Sequence, residues 1–191
     1  MPPKKKFSKQ QIVDAAFDIA RTEGIDNITI RKVAEKLGSS IAPIYVNFKD
    51  VDELIEEVVN KIFAVSQQLL QQENSGRPFR DIGVASIRFA KHYSVLFKDL
   101  VMNQNKFIKK LEQGSNSDII ELMKQDADLK GFTDEELQEI LLKMKIFQTG
   151  LSIMVANELL PDEFNEEKMI EILESTANDV IAAAHLNKKE D

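Results

Sequence analysis

Ser40, Ala42, Pro43, Tyr45 and Asn47 crowd into one short stretch, and they have the size and hydrogen-bonding character that a DNA major groove accepts. Small side chains let a backbone come close, while hydroxyls and an amide can meet base edges or phosphates. Proline in a first helical turn costs little, because those N–H groups have no intrahelical partner. The segment around them, Thr29 to Phe48 (TIRKVAEKLGSSIAPIYVNF), reads as helix, tight turn, helix. Val33, Ala34 and Leu37 lie on one apolar stripe at helical spacing. Gly38 then stops the helix, since glycine enters the left-handed conformation without steric cost. Thr29 stands where a hydroxyl would cap the first helix of the pair, and Ser39 and Ser40 offer hydroxyls to cap the second. Arg31 at the opening and Lys49 beyond the end add cations that phosphates would attract.

Other elements must hold this pair in place. Ser8 to Gln11 reads as a capping box, with Phe7 able to staple onto Ile12, so a first helix is expected from about Lys9 to Thr22. It buries Ile12, Ala15, Ala16 and Ile19, and Gly24 closes it. Ile25, Ile28 and Ile30 anchor the connection that follows. Asp50 and Glu53 make another box-like start, after which Leu54, Val58, Val59, Ile62, Phe63 and Leu69 carry a long amphipathic fourth helix. Three helices followed by a long connecting one describe a compact head joined to a body.

Residues 8 to 63 resemble the N-terminal domain of the TetR family of bacterial transcriptional regulators. The resemblance rests on Gly38, Ser40, Ala42, Ile44, Tyr45, Asn47 and Phe48, followed by Asp50, Asp52, Glu53 and Leu54, all at the family's offsets. Two positions depart from the family pattern. Pro43 stands where threonine or serine is usual, and Val51 falls near the place of a phosphate-touching lysine, leaving Lys49 as the nearest cation. The resemblance implies an all-α fold: an N-terminal three-helix DNA-binding head with a helix-turn-helix, joined by a long helix to a C-terminal helical ligand-binding and dimerisation domain. The expected division is 1–50 for the helix-turn-helix domain and 51–191 for the effector-binding and dimerisation domain. It also implies a ligand-responsive regulator that represses from a palindromic double-stranded DNA operator as a homodimer, with Ser40, Ala42, Pro43, Tyr45 and Asn47 meeting DNA and Thr29 and Lys49 on phosphates. The alternative is a helical small-molecule-binding or protein-interaction module that has lost operator binding, and Val51 is its support.

Charge placement fits the resemblance. Residues 1–50 hold nine Lys plus Arg against six Asp plus Glu, a net of +3, while the remainder of the 191-residue chain nets −10, which together give −7. A basic head on an acidic body attracts phosphate at one end only and argues against a nonspecific DNA coater. Lys4, Lys5 and Lys6 read either as a solubilising terminus or as an arm along the DNA backbone. The chain has no cysteine, so thiolate chemistry and disulfides are excluded. No run is long enough to span a membrane and no signal peptide is evident, which makes the cytoplasm the expected location. An enzyme is not expected: His92 and His185 are far apart, and neither a Gly-rich phosphate loop nor a nucleophile elbow accompanies them. Neither cofactor nor metal is expected.

The body reads as helices from about Phe79 to Tyr93, Ser94 to Met102, Thr133 to about Leu160 with Pro161 ending it, and Asn165 to about Leu186. Asn74–Pro78 and Gly114–Ser117 form breaks between them. Phe89, His92, Tyr93, Phe97, Met102, Phe107, Met123, Met144, Phe147 and Gln148 could line an effector pocket, apolar with a few polar tips. Aromatics and methionines at helical spacing equally suit a core. Gly150, Leu151, Met154 and Val155, with Leu173, Ala177, Val180, Ile181 and Ala184, give the last two long helices apolar faces. These faces fit either their own subunit's core or, as the resemblance implies, a four-helix dimer interface.

Overall fold

A computed structural model describes residues 7–102, 118–161 and 163–188. Lys4, Lys5, Lys6, Phe107 and the break at Gly114–Ser117 lie outside them. All regular structure among the described residues is helical, as the sequence predicts. Packing divides the chain into two units, Met1–Val65 with Tyr93–Lys110, and Ser66–His92 with Leu111–Asp191.

In the first unit, α1 (Lys9–Glu23) opens on the expected box. The Gln11 N–H donates to Ser8 Oγ at 3.2 Å, and the Ser8 N–H donates to Gln11 Oε1 at 2.9 Å. Ile12, Ala16, Ile19 and Ala20 are buried. Gly24 ends α1 at φ +98, a conformation reserved for glycine, and a Cβ there would stand 2.8 Å from Asp99 Oδ2. The same carboxylate accepts the Ile25 N–H at 2.6 Å, pinning the turn Ile25–Asn27. α2 (Ile30–Lys36) and α3 (Ala42–Asn47) follow, and α4 (Val51–Gln72) begins behind Asp50, whose Oδ1 accepts the Glu53 N–H at 2.9 Å. The Glu53 carboxylate reaches back to the Lys49 N–H at 2.7 Å, one residue earlier than a standard box. Leu54, Ile55, Val58, Val59 and Ile62 form the buried stripe of α4, whereas Phe63 is 45% exposed. α6 (Ser94–Met102) packs on α1, and the rings of Phe17 and Tyr93 meet edge-on at 6.2 Å.

The second unit is built on three mutually packed helices, α5 (Pro78–His92), α8 (Asp134–Ala156) and α9 (Glu166–Asn187), with a short helix α7 at 118–123. Thr133 and Glu136 close a capping box on α8, and Asn165 Oδ1 caps α9 through the Lys168 N–H at 3.0 Å. α8 ends four residues short of the expected boundary near Leu160. Glu158 turns left-handed (φ 54), the Glu158 N–H reaches Val155 O at 3.2 Å and the Leu159 N–H reaches Met154 O at 2.9 Å. This is a Schellman closure made without glycine, so the stop precedes Pro161. Gly83 lets α9 lie close: a Cβ there would meet Leu173 Cδ2 at 2.8 Å. Arg88 joins Glu73 and Glu166, the latter at 3.0 Å, tying the residues after α4 and the start of α9 to α5.

Candidate nucleic-acid interface

The turn between α2 and α3 is built by a complete Schellman motif. Gly38 takes φ +61, its N–H reaches Glu35 O at 2.9 Å, and the Ser39 N–H reaches Ala34 O at 2.9 Å. Thr29 caps α2 as expected, with Oγ1 accepting the Lys32 N–H at 3.2 Å, which leaves its own O–H to donate outward. The expected serine caps on α3 are not formed. Ile41 occupies the cap position without a side-chain bond, and the Ser39 hydroxyl donates to Ser40 O at 2.9 Å. The helix starts one residue too late for a Ser40 cap, and Pro43 at its second position has no N–H for a cap to serve. The Ser40 side chain stays exposed.

α3 is held by two anchors. Ile44 is fully buried and Phe48 is 2% exposed, four residues apart on one face. Several of the remaining side chains are presented outward. Ala42 is exposed, Tyr45 is 53% exposed, Ile41 48% and Val46 84%. Ile41 and Val46 were absent from the expected interface, although the i, i+4 spacing of Ile44 and Phe48 was enough to place Val46 on the far side of the helix. Asn47 stands apart from the rest of the expected set. Its Nδ2 donates to Pro43 O at 2.8 Å and to Phe7 O at 3.4 Å, so the amide nitrogen holds α3 to the chain entering α1.

The surrounding cations separate into two kinds. Lys32 pairs with Glu23 at 2.7 Å, Lys36 with Asp18 at 3.6 Å, Arg21 with Asp18 at 3.8 Å and Lys9 with Glu57 at 2.5 Å. Arg31 and Lys49 are exposed and have no acidic partner among the described residues. The two unpaired cations therefore stand in the chain on either side of the exposed α3.

The effector candidates fall into several packing groups. Met144 and Phe147 join Val84, Ile87 and Leu173, whereas Met123 packs with Leu129, Leu137 and Ile140. Tyr93 and Phe97 belong to the first unit. Phe89 is buried in α5 and His92 is exposed at its end. Gln148 Nε2 donates to Gly83 O at 3.4 Å. One turn further, the Ser152 hydroxyl is fully buried with no hydrogen-bond partner among the described residues, a polar group that the sequence reading passed over. An open depression of about 530 Å³ lies elsewhere, lined by Ile120, Gln138 and Leu141 among others, and holds none of the expected residues. No group of three His, Asp or Glu side chains suited to a metal occurs among the described residues.

The expected self-association residues also separate. Leu151, Leu173 and Ile181 are buried in the chain's own core, and Val155, Ala177, Val180 and Ala184 pack partly against it. Gly150 and Met154 are exposed, and with Leu142 (58% exposed) and Ile146 (67%) they make a stripe at four-residue intervals along α8. Among the described residues, nothing outside the backbone of its own helix turn comes within 4 Å of a Cβ built at Gly150.

Residues 12–58 match the sequence pattern of the bacterial regulatory proteins of the tetR family. An uncharacterized HTH-type transcriptional regulator of Haemophilus influenzae is 26% identical over 145 residues, 75% of this chain and 68% of that protein. A nicotine-responsive transcriptional repressor of Paenarthrobacter nicotinovorans is 33% identical over 64 residues, 34% of this chain and 29% of that protein. Among solved structures, a TetR-like transcriptional regulator from Rhodococcus sp. RHA1 superposes with a TM-score of 0.68 at 20% identity, covering 91% of this chain and 95% of its own. A regulator from Saccharomonospora viridis, solved in complex with choline, gives 0.64 at 15% identity over 87% and 93%.

Proposed function

We propose that this chain is a TetR-family transcriptional regulator, a homodimeric repressor that acts on a near-palindromic operator and leaves it when a small organic effector binds; the match of residues 12–58 to the family pattern and the alignment of 75% of the chain with an HTH-type regulator support this. One observation carries the DNA half of this reading. α3 is fixed from behind by Ile44 and Phe48, presents its other face to solvent, and is bracketed in the chain by the unpaired Arg31 and Lys49. A short helix so held is suited to enter a major groove while the cations meet phosphates. Thr29 and Tyr45 add hydroxyls for the same backbone, and Ser39, Ser40, Ala42 and Pro43 form the turn and the helix start that face the groove.

A six-residue helix reads few base pairs, so specificity requires two of them. A two-fold dimer supplies the second, roughly 34–36 Å away, in the next major groove on the same face of the duplex. The exposed α8 stripe of Leu142, Ile146, Gly150 and Met154 supports self-association: it is apolar, continuous and open at its centre. The effector half rests on the second unit, where the unpartnered Ser152 hydroxyl and the Gln148 amide lie one turn apart on α8. A buried hydroxyl without a partner costs about 1–3 kcal/mol, which a polar ligand atom would recover. That a relative responds to nicotine and a structural neighbour holds choline supports a small organic effector as the class. α4 is the covalent path, since it begins in one unit and ends unbroken in the other. A coupling of about 1–3 kcal/mol would change operator affinity about 5- to 150-fold.

The test is footprinting of the purified protein on the intergenic DNA upstream of its own gene at near-physiological salt. Protection of a short palindrome supports the reading. Absence of any protected site, with the protein folded and dimeric, overturns it.

A further inference from the structure

We infer that the base-reading surface of this chain is apolar and that it recognises the C5-methyl groups of thymine, so that each operator half-site is specified chiefly by thymine methyls in the major groove. The inference rests on the operator-binding reading above and adds what the operator must contain.

Direct readout usually relies on Arg or Lys paired with guanine, or Asn or Gln paired with adenine. The exposed face of α3 offers none of these. Its one amide side chain, Asn47, has its nitrogen committed to Pro43 O and Phe7 O. What faces outward is Ile41, Ala42 and Val46, with the ring of Tyr45, and Val46 is the most exposed large apolar side chain there at 84%. An isoleucine and a valine held in water on a helix whose other face is fully anchored gain nothing for the fold. Their chemical complement in a major groove is the thymine methyl, the apolar group that base edges present there. The flanking Arg31 and Lys49 can hold the duplex by its phosphates without base preference, which leaves base choice to the apolar face. Exposed Ser40 adds a hydroxyl able to bond to more than one base, which refines this preference without setting it.

The experiment selects high-affinity duplexes from a random pool with the full chain and then replaces each thymine of the selected half-site, one at a time, by deoxyuridine. This removes a methyl and leaves every hydrogen-bonding group. Binding is expected to weaken about fourfold for each contacted methyl, the value of one buried carbon. Val46→Ala keeps the fold, since the side chain is solvent-exposed and alanine favours helix, and in that variant at least one of the deoxyuridine effects is expected to vanish. The slope of log affinity against log salt should be unchanged by either substitution, because no phosphate contact is touched. A selected operator whose affinity is indifferent to deoxyuridine at every position overturns the inference while leaving operator binding intact. Selection that enriches no sequence overturns both readings.

Discussion

Tyr45 illustrates how one side chain can carry two tasks. Its ring contributes to the apolar face of α3, and its half-exposed position leaves the hydroxyl free to reach the duplex backbone. Tyr45→Phe should weaken operator binding by about 1–3 kcal/mol if that hydroxyl meets a phosphate, measured by fluorescence anisotropy at fixed salt, with the circular dichroism melt unchanged. Equal affinity would remove the hydroxyl from the interface. Arg31 and Lys49 act differently. As unpaired cations they should contribute to affinity through counterion release, so Arg31→Gln or Lys49→Gln should lower the salt slope by about one each and weaken all sequences alike. By contrast, Lys32 and Lys36 are already paired with Glu23 and Asp18, and their replacement should shift the slope less.

At the scale of elements, the turns that set the helices are made by backbone conformation more than by side-chain choice. Gly24 combines φ +98 and ψ 159 with a Cβ direction that would run into Asp99 Oδ2. Gly24→Ala should cost about 1–3 kcal/mol and loosen the Ile25–Asn27 turn, read as a lower denaturation midpoint. An unchanged midpoint would mean that the backbone relaxes at no cost. Glu158 is the reverse case, a left-handed residue that is not glycine closing α8. Glu158→Gly should raise stability by about 1 kcal/mol, because the strain of a Cβ in that conformation exceeds the entropy glycine loses at a position already constrained. A fall in stability would show that Glu158 makes compensating contacts.

For the whole molecule, the exposed stripe on α8 is the feature on which the proposed symmetry depends. Ile146 is 67% exposed and lies between Leu142 and Gly150 at helical spacing, so Ile146→Glu leaves the chain's own core untouched while placing a charge in the middle of the stripe. The expected result is a folded monomer by analytical ultracentrifugation, with operator affinity reduced to that of a single head. A dimer that persists would move the interface to another surface, with the exposed Ile172 and Leu186 of α9 as the next apolar positions to test.

The sequence determined the local features: the helix starts at Ser8, Thr29, Asp50, Thr133 and Asn165, the stop at Gly38, and a helix-turn-helix that matches the tetR-family pattern over residues 12–58. These are decided within a few residues, by caps, glycine conformations and 3.6-residue periodicity, and so can be read without knowing what packs where. Tertiary structure decided which apolar residues are spent on the core. Leu151, Leu173 and Ile181 look interchangeable with Leu142, Ile146 and Met154 in sequence, yet the first three are buried within the chain and the second three remain exposed. It also assigned Asn47 to the fold and Val46 to solvent, and it gave the first unit α6 through Asp99. Periodicity shows that a helix has an apolar side. It does not show which side a neighbour many residues away will cover, and burial is settled by those distant partners.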